Sequence, residues 1–356
     1  SLKMGWPTAL DLKATSYLKT SILKNQIAHS YLSIGSEGSG TFSISKVFGQ
    51  AILCSQKDSP CMRCRTCTNI ENNTHPDFLV IQPGATGIIS IDIIRRLIGD
   101  VSSEKIKELE KREEGIPPRF FAMTSPLESQ KKIIVIHGIE KMISDTRDIL
   151  LKILEEPPQD VIFLLTTTDE SLINSTLASR CQLIHVKPVA FKTIESNLIE
   201  QGFDPIRSKY IARISGGQFE TALAFIKTPS LVDQMSQDYL FMPEIIMSPF
   251  AKRIKIAEEK SNLYRENKNT FLHSMHYWSL FWRDALLNNK TLNLQHPLYV
   301  TEDLMSIEYI RSLAISVTEA TTSLIEIEKT IVSLSQNANT RILLESLYLS
   351  LPYRNQ

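Results

Sequence analysis

Residues 29–53 read HSYLSIGSEGSGTFSISKVFGQAIL, and the fold turns on how this stretch is read. His29 to Ile34 is a short β-rich run. Gly35, Gly38 and Gly40 follow it. From Ser43 the apolar residues Ile44, Val47, Phe48, Ala51 and Ile52 recur at helical spacing. Strand, glycine loop and helix in that order are the setting of a phosphate-binding loop. There, glycines spaced G-x-x-x-x-G let backbone N–H groups approach a phosphate at the mouth of a helix. Gly35 and Gly40 keep that spacing. The next two positions, where Lys would meet the phosphates and Ser or Thr the metal, hold Thr41 and Phe42. The turn is present and the charge is missing.

Outward from this loop, strands and helices alternate. Residues 131–136, KKIIVI, form a continuous β-branched run of the kind found in a sheet buried on both faces. Further strands are expected at 78–81, 161–165 and 183–186. Helical periods cover 8–28, 91–98 and a segment from Asp145, read as its cap, to Glu155, where Pro157 and Pro158 stop it. This pattern predicts an α/β core with a parallel sheet. After Pro188 the character changes. Residues 192–228 read as three short helices broken at Gly216-Gly217, and helical periodicity runs from 242 to the end, with Trp278, Phe281 and Trp282 as a packing stripe. Residues 104–115, EKIKELEKREEG, are nearly all charged and read as a solvated extension.

With 356 residues, 42% of them hydrophobic, the chain is long enough for two or three domains. Its 39 Lys and Arg balance 39 Asp and Glu, so no net field draws it to nucleic acid or an anionic membrane. No signal-like start and no apolar run near the ~20 residues of a membrane span is seen, and a cytoplasmic location is expected. Four of the five cysteines form Cys54-x6-Cys61-x2-Cys64-x2-Cys67. Paired two-residue spacers let thiolates in a tight turn converge on one ion, which points to structural Zn²⁺ in a reducing compartment. Four thiolates leave no open coordination position for catalysis. His75 is a lesser candidate ligand, because Pro76-Asp77 after it reads as a turn.

A working ATPase of this architecture ends its central strand in Asp-Glu, to hold Mg²⁺ and polarise the attacking water. Here the strand ends in His137-Gly138. The lysine and the carboxylates are thus missing together. The segment 149–188, ILLKILEEPPQDVIFLLTTTDESLINSTLASRCQLIHVKP, resembles the signature region of bacterial DNA polymerase III clamp-loader subunits, most specifically in Leu154-Glu-Glu-Pro-Pro158 and Ser179-Arg180-Cys181. IAHSYL at 27–32, the cysteine module, HPDFLVI at 75–81, SIDIIRRLI at 90–98 and NANTRILLESLYLSL at 337–351 extend the resemblance over nearly the whole chain.

The resemblance implies an AAA+-type core over 1–188 with a degenerate P-loop and an inserted zinc module. A small helical lid over 189–241 and an all-α collar over 242–356 that oligomerises would follow. A motor subunit of this family has Lys at Thr41, Asp-Glu at His137-Gly138, and a lid arginine where this chain has Gln218-Phe-Glu-Thr221. These departures imply the delta-prime branch, which does not hydrolyse ATP. Gly35, Gly38, Gly40, Thr41, His137 and Gly138 would then mark a nucleotide site without turnover.

Arg180 would act as an arginine finger on ATP held by a neighbouring motor subunit. Expected partners are the motor subunits gamma/tau and the delta subunit in a hetero-oligomeric ring, with the sliding clamp and primed DNA reached through the complex. The first cysteine spacer is shorter than is common in the family, and 102–120 looks like an insertion. The competing readings are an active motor or other DNA-dependent ATPase, marked by ATP turnover, and a zinc-containing nucleic-acid-binding module, marked by salt-sensitive DNA binding.

Overall fold

The computed structural model describes residues 6–7, 9–84, 87–100, 118–173, 175–292, 306–335 and 338–354, so the charged run 104–115 lies outside the described residues. The chain divides into two compact units, Ser1–Ala222 and Leu223–Gln356.

The first unit is built on five parallel strands, β1 (Ser30–Ile34), β2 (Phe78–Ile81), β3 (Lys132–Ile136), β4 (Val161–Thr167) and β5 (Gln182–His185), in the order β2-β3-β4-β1-β5. The three inner strands are buried at every residue, which explains the apolar runs at 133–136 and 161–165. The edge strands are only four residues long and partly exposed, so they present little unpaired backbone.

The helices of this unit are α1 (Leu12–Leu23), α2 (Thr41–Leu53), α3 (Arg65–Glu71), α4 (Ile91–Ile98), α5 (Ser144–Glu155), α6 (Ser175–Arg180), α7 (Phe191–Glu200) and α8 (Pro205–Ile214), with α9 (Phe219–Lys227) beginning in it. Ile94 and Leu97 of α4 and Leu150 and Leu154 of α5 share one core with Leu32, Ile134, Ile136, Phe163 and Leu165. Those strand residues alternate along the chain and so line one face. The other face receives α2 at very short range. A Cβ on Gly49 would stand 2.6 Å from Phe78 and 2.9 Å from Ile133, so glycine is what lets the helix lie flat there.

Several local expectations shift. The helix after the glycine loop starts at Thr41, directly behind Gly40, rather than at Ser43. Ile143, not Asp145, occupies the N-cap of α5, and Asp145 sits in the first turn, where its charge still favours the helix dipole. The first helix is shorter than 8–28 because Asp11 caps it, accepting from the N–H groups of Lys13 and Ala14. The seven-residue α3 among the cysteines is too short for periodicity to reveal.

The second unit is helical throughout its described residues: α10 (Ser230–Met247), α11 (Phe250–Glu266), α12 (Lys268–Leu287), α13 (Ile307–Ser312), α14 (Val317–Ser335) and α15 (Thr340–Ser350). Trp278, Phe281 and Trp282 are fully buried, as their spacing predicts. So is Arg253. Its five N–H donors meet five backbone carbonyls: Nε to Ser248, Nη1 to Tyr348 and Leu351, Nη2 to Ile246 and Pro352, at 2.7–3.1 Å. These carbonyls lie at the C-terminal ends of α10 and α15, where helix dipoles concentrate negative charge. One cation therefore caps two helices. Among the described residues no helix is long and apolar enough to cross a membrane.

Removing the guanidinium strands buried carbonyls at about 1–3 kcal/mol each. Arg253→Ala is expected to lower the unfolding free energy of this unit by at least about 4 kcal/mol, read by urea denaturation with Trp278 and Trp282 fluorescence. Arg253→Lys, with three donors for five acceptors, recovers less than half of that loss. A loss under about 1 kcal/mol in Arg253→Ala would contradict the capping role.

Candidate functional site

β1 lies inside the sheet between β4 and β5, and the loop leaving its C-terminal end sits where the crossover direction reverses. Parallel sheets bind ligands at such switch points. Gly35 passes so near the chain after β5 that a Cβ would stand 2.4 Å from the Val186 carbonyl oxygen. Gly40, at φ 110°, is the N-cap of α2 and supplies no side-chain hydrogen bond to it. The glycines therefore shape the loop as the sequence predicts.

The residues at the working positions of such a loop are engaged within the protein itself. Thr41 is buried, its carbonyl accepting the Ser45 hydroxyl at 2.8 Å. The Phe42 ring lies with its centroid 5.0 Å from that of His137, at the end of β3. His137 Nδ1 is 2.9 Å from the Thr166 hydroxyl, which also accepts the Gly138 N–H at 3.0 Å. Thus Gly35, Gly38, Gly40, Thr41, His137 and Gly138 are gathered at one end of the sheet, with an aromatic pair in their midst. Thr168 donates to Glu140 at 3.0 Å. Neither Phe42 nor His137 offers the oxygen ligands that Mg²⁺ requires.

A residue absent from the sequence-based candidates also reaches the loop. Glu220, in the first turn of α9, accepts the Ser43 N–H at 2.5 Å, and its own N–H donates to the Gly38 carbonyl at 3.0 Å. The signal was the sign of its charge. A carboxylate suits a helix N-terminus rather than a phosphate.

Arg180 sits apart from this cluster, at the end of α6. Its guanidinium pairs with Glu155 of the Leu154–Pro158 motif and donates to the Thr176 carbonyl at 2.8 Å and the Ser179 hydroxyl at 3.1 Å. The side chains of Arg180 and Glu155 are 25% and 48% exposed, so the pair is at the surface.

The four cysteines converge. Cys54 follows α2, Cys64 is the N-cap of α3, Cys67 is inside it, and all four sulfurs lie within 4.8 Å of one another. A tetrahedron with metal–sulfur bonds of about 2.3 Å has sulfurs about 3.8 Å apart, and Cys54 and Cys64 stand at 3.9 Å. Cys61 Sγ accepts the Cys64 N–H at 3.3 Å, and Cys64 Sγ the Cys67 N–H at 3.4 Å. Burial raises Cys54 and Cys67. It also pushes Cys61 up, but the N–H groups of Arg63 and Cys64 and the neighbouring thiols overcome it and bring Cys61 down to about 6. The donor set fits a closed tetrahedral metal, whose charge would ionise the remaining thiols. Cys54 completes the set. His75 stays outside it, with Nδ1 accepting the Asp77 N–H at 3.1 Å.

The family described as DNA polymerase III, delta subunit, matches residues 11–113 and 117–190, a span holding the glycine loop, the cysteines and Arg180. The chain belongs to that DNA polymerase III family. The delta' subunit of Bacillus subtilis (strain 168) is 26% identical over 310 residues, covering 86% of this chain and 81% of that protein. The delta' subunit of Pseudomonas aeruginosa is 29% identical over 159 residues, 44% of this chain and 42% of that one. The tau subunit of B. subtilis is 30% identical over 182 residues, so the chain spans 28% of its length. A gamma subunit-related protein of Thermotoga maritima aligns over 94% of this chain and 97% of its own at 18% identity, with a TM-score of 0.43.

For this DNA polymerase III family member, elemental analysis of protein purified without chelator is expected to return about one zinc per chain. Cys64→Ser, or chelation of the wild type, is expected to lower the thermal midpoint by at least about 4 °C, on the order of 1–2 kcal/mol. An equally stable metal-free preparation would refute a structural metal.

Proposed function

We propose that the chain is a clamp-loader subunit of the delta-prime kind, an AAA+-type protein that holds a fixed place in a ring and hydrolyses no ATP of its own. Its role is to support ATP-driven loading of the sliding clamp onto primed DNA by the polymerase III complex. The observation that carries this reading is the contact of Phe42 with His137. Two positions that a motor fills with a hydroxyl and a carboxylate hold aromatic rings packed on each other, so the change is one coherent apolar substitution rather than two separate losses.

In this reading the chain's chemistry is done next door. Arg180 reaches ATP bound by an adjoining motor subunit, where its guanidinium stabilises charge spreading over the transferred phosphoryl oxygens. A surface pair such as Arg180–Glu155 is worth about 1 kcal/mol or less, so little opposes exchange of the carboxylate for a phosphate. The cysteine module serves as a structural zinc site, residues 189–241 as a lid, and residues 242–356 as the collar that joins gamma/tau and delta subunits. The complex works in the cytoplasm.

Reconstitution with gamma/tau motor subunits, delta and clamp tests this. Arg180→Ala is expected to leave assembly intact and to slow hydrolysis at the adjoining site by about 10³-fold, measured as clamp-dependent phosphate release. Unchanged hydrolysis would remove the finger assignment. Thr41→Lys is expected to give no turnover in the isolated chain, because His137-Gly138 still supplies no carboxylate. Robust hydrolysis by the isolated wild type would overturn the whole reading.

A further inference from the structure

The N-terminus of α2 is a place where a charge belongs. Gly40 gives it no side-chain cap, and its first turn carries no acidic residue. The free N–H groups and the dipole there favour an anion. Inside the loop the Ser39 hydroxyl is fully buried and has no hydrogen-bond partner among the described residues. It lies 2.6 Å from where a Cβ on Gly35 would stand, within the curl of the loop. In a nucleotide-binding loop these donors meet phosphate oxygens.

Here an internal carboxylate comes to the same helix end. Glu220 Oε1 accepts from the N–H of Ser43, the third residue of α2, and the Glu220 N–H returns a bond to the Gly38 carbonyl. The two segments are 177 residues apart in sequence and clasp through one bond in each direction. Gly38 lies so close beneath α9 that a Cβ on it would stand 2.2 Å from the Thr221 hydroxyl and 3.2 Å from the Gln218 amide oxygen. The lid segment is thus seated directly on the loop.

We propose that the Glu220 carboxylate is a built-in replacement for nucleotide phosphate, holding residues 218–221 shut on the glycine loop with no nucleotide bound. This rests on reading residues 35–43 as a phosphate-binding loop without turnover. It adds what fills the position and what that does: the closed arrangement, which ATP would otherwise have to induce, is permanent. A charge-assisted bond of this kind outlasts an ordinary hydrogen bond in a partly buried setting.

Hydrogen exchange on the full-length chain, with and without millimolar inorganic pyrophosphate, tests it. In Glu220→Ala, amides of 35–45 and 216–222 are expected to exchange about tenfold faster or more. Glu220→Gln, which keeps the shape and one acceptor but loses the charge, falls between. Pyrophosphate is expected to restore protection in Glu220→Ala and to leave the wild type unchanged.

Unaltered protection in Glu220→Ala would overturn the proposal. Equal protection of wild type and variant by pyrophosphate would also overturn it, since the position would then be vacant in the wild type. Loosening that pyrophosphate does not reverse would make Glu220 an ordinary helix cap and end the phosphate equivalence. None of these readouts involves a partner subunit, so a failure of clamp-loader assembly and a failure of this proposal are separate results.

Discussion

Backbone N–H groups at the start of a helix must find an acceptor, and in this protein the helix concerned is α2. Its position leaves little freedom. It follows an inner strand of the sheet, it begins at a glycine that brings no cap, and Gly49 lets it lie directly on Phe78 and Ile133. Such a helix end normally recruits an anion from solution. Here it meets a carboxylate of the same chain, while the ring of Phe42, one residue before Ser43, lies against His137. The carboxylate from α9 and the aromatic pair therefore meet the same end of one helix.

The far end of the same helix is also tied. Cys54 follows α2 immediately and joins the sulfurs of Cys61, Cys64 and Cys67. The helix thus meets a carboxylate at its N-terminus, close packing at its middle and the cysteine cluster at its C-terminus.

Much of this was legible in the sequence where the signal is local. The unbroken apolar run at 133–136 reads as a buried strand because a doubly covered parallel strand has no polar face to show. The glycine spacing gave the loop, and the cysteine spacing gave the cluster, since both are set by turns of a few residues. What sequence reading missed depends on partners far along the chain. Asp77 accepts N–H groups from Leu127, Glu128 and Ser129, about fifty residues away. Glu220 finds Ser43 across 177 residues, and Arg180 finds Glu155 across 25. A lone acidic or basic residue in a sequence looks the same whether it faces water or a helix end, and only the fold distinguishes them.

Arg253 places the second unit under a different constraint, one of time. Three of its five acceptors, at Tyr348, Leu351 and Pro352, are encoded 95 to 99 residues after it. At a synthesis rate of about 5–20 residues per second, they emerge roughly 5–20 seconds later. All five strands of the first unit have been made by then, since β5 ends at His185. Until the last turn of α15 appears, the guanidinium keeps its hydration, and burying it would cost several kcal/mol. Full burial of the guanidinium therefore waits on the C-terminal end of the distal helix, which supplies three of its five acceptors.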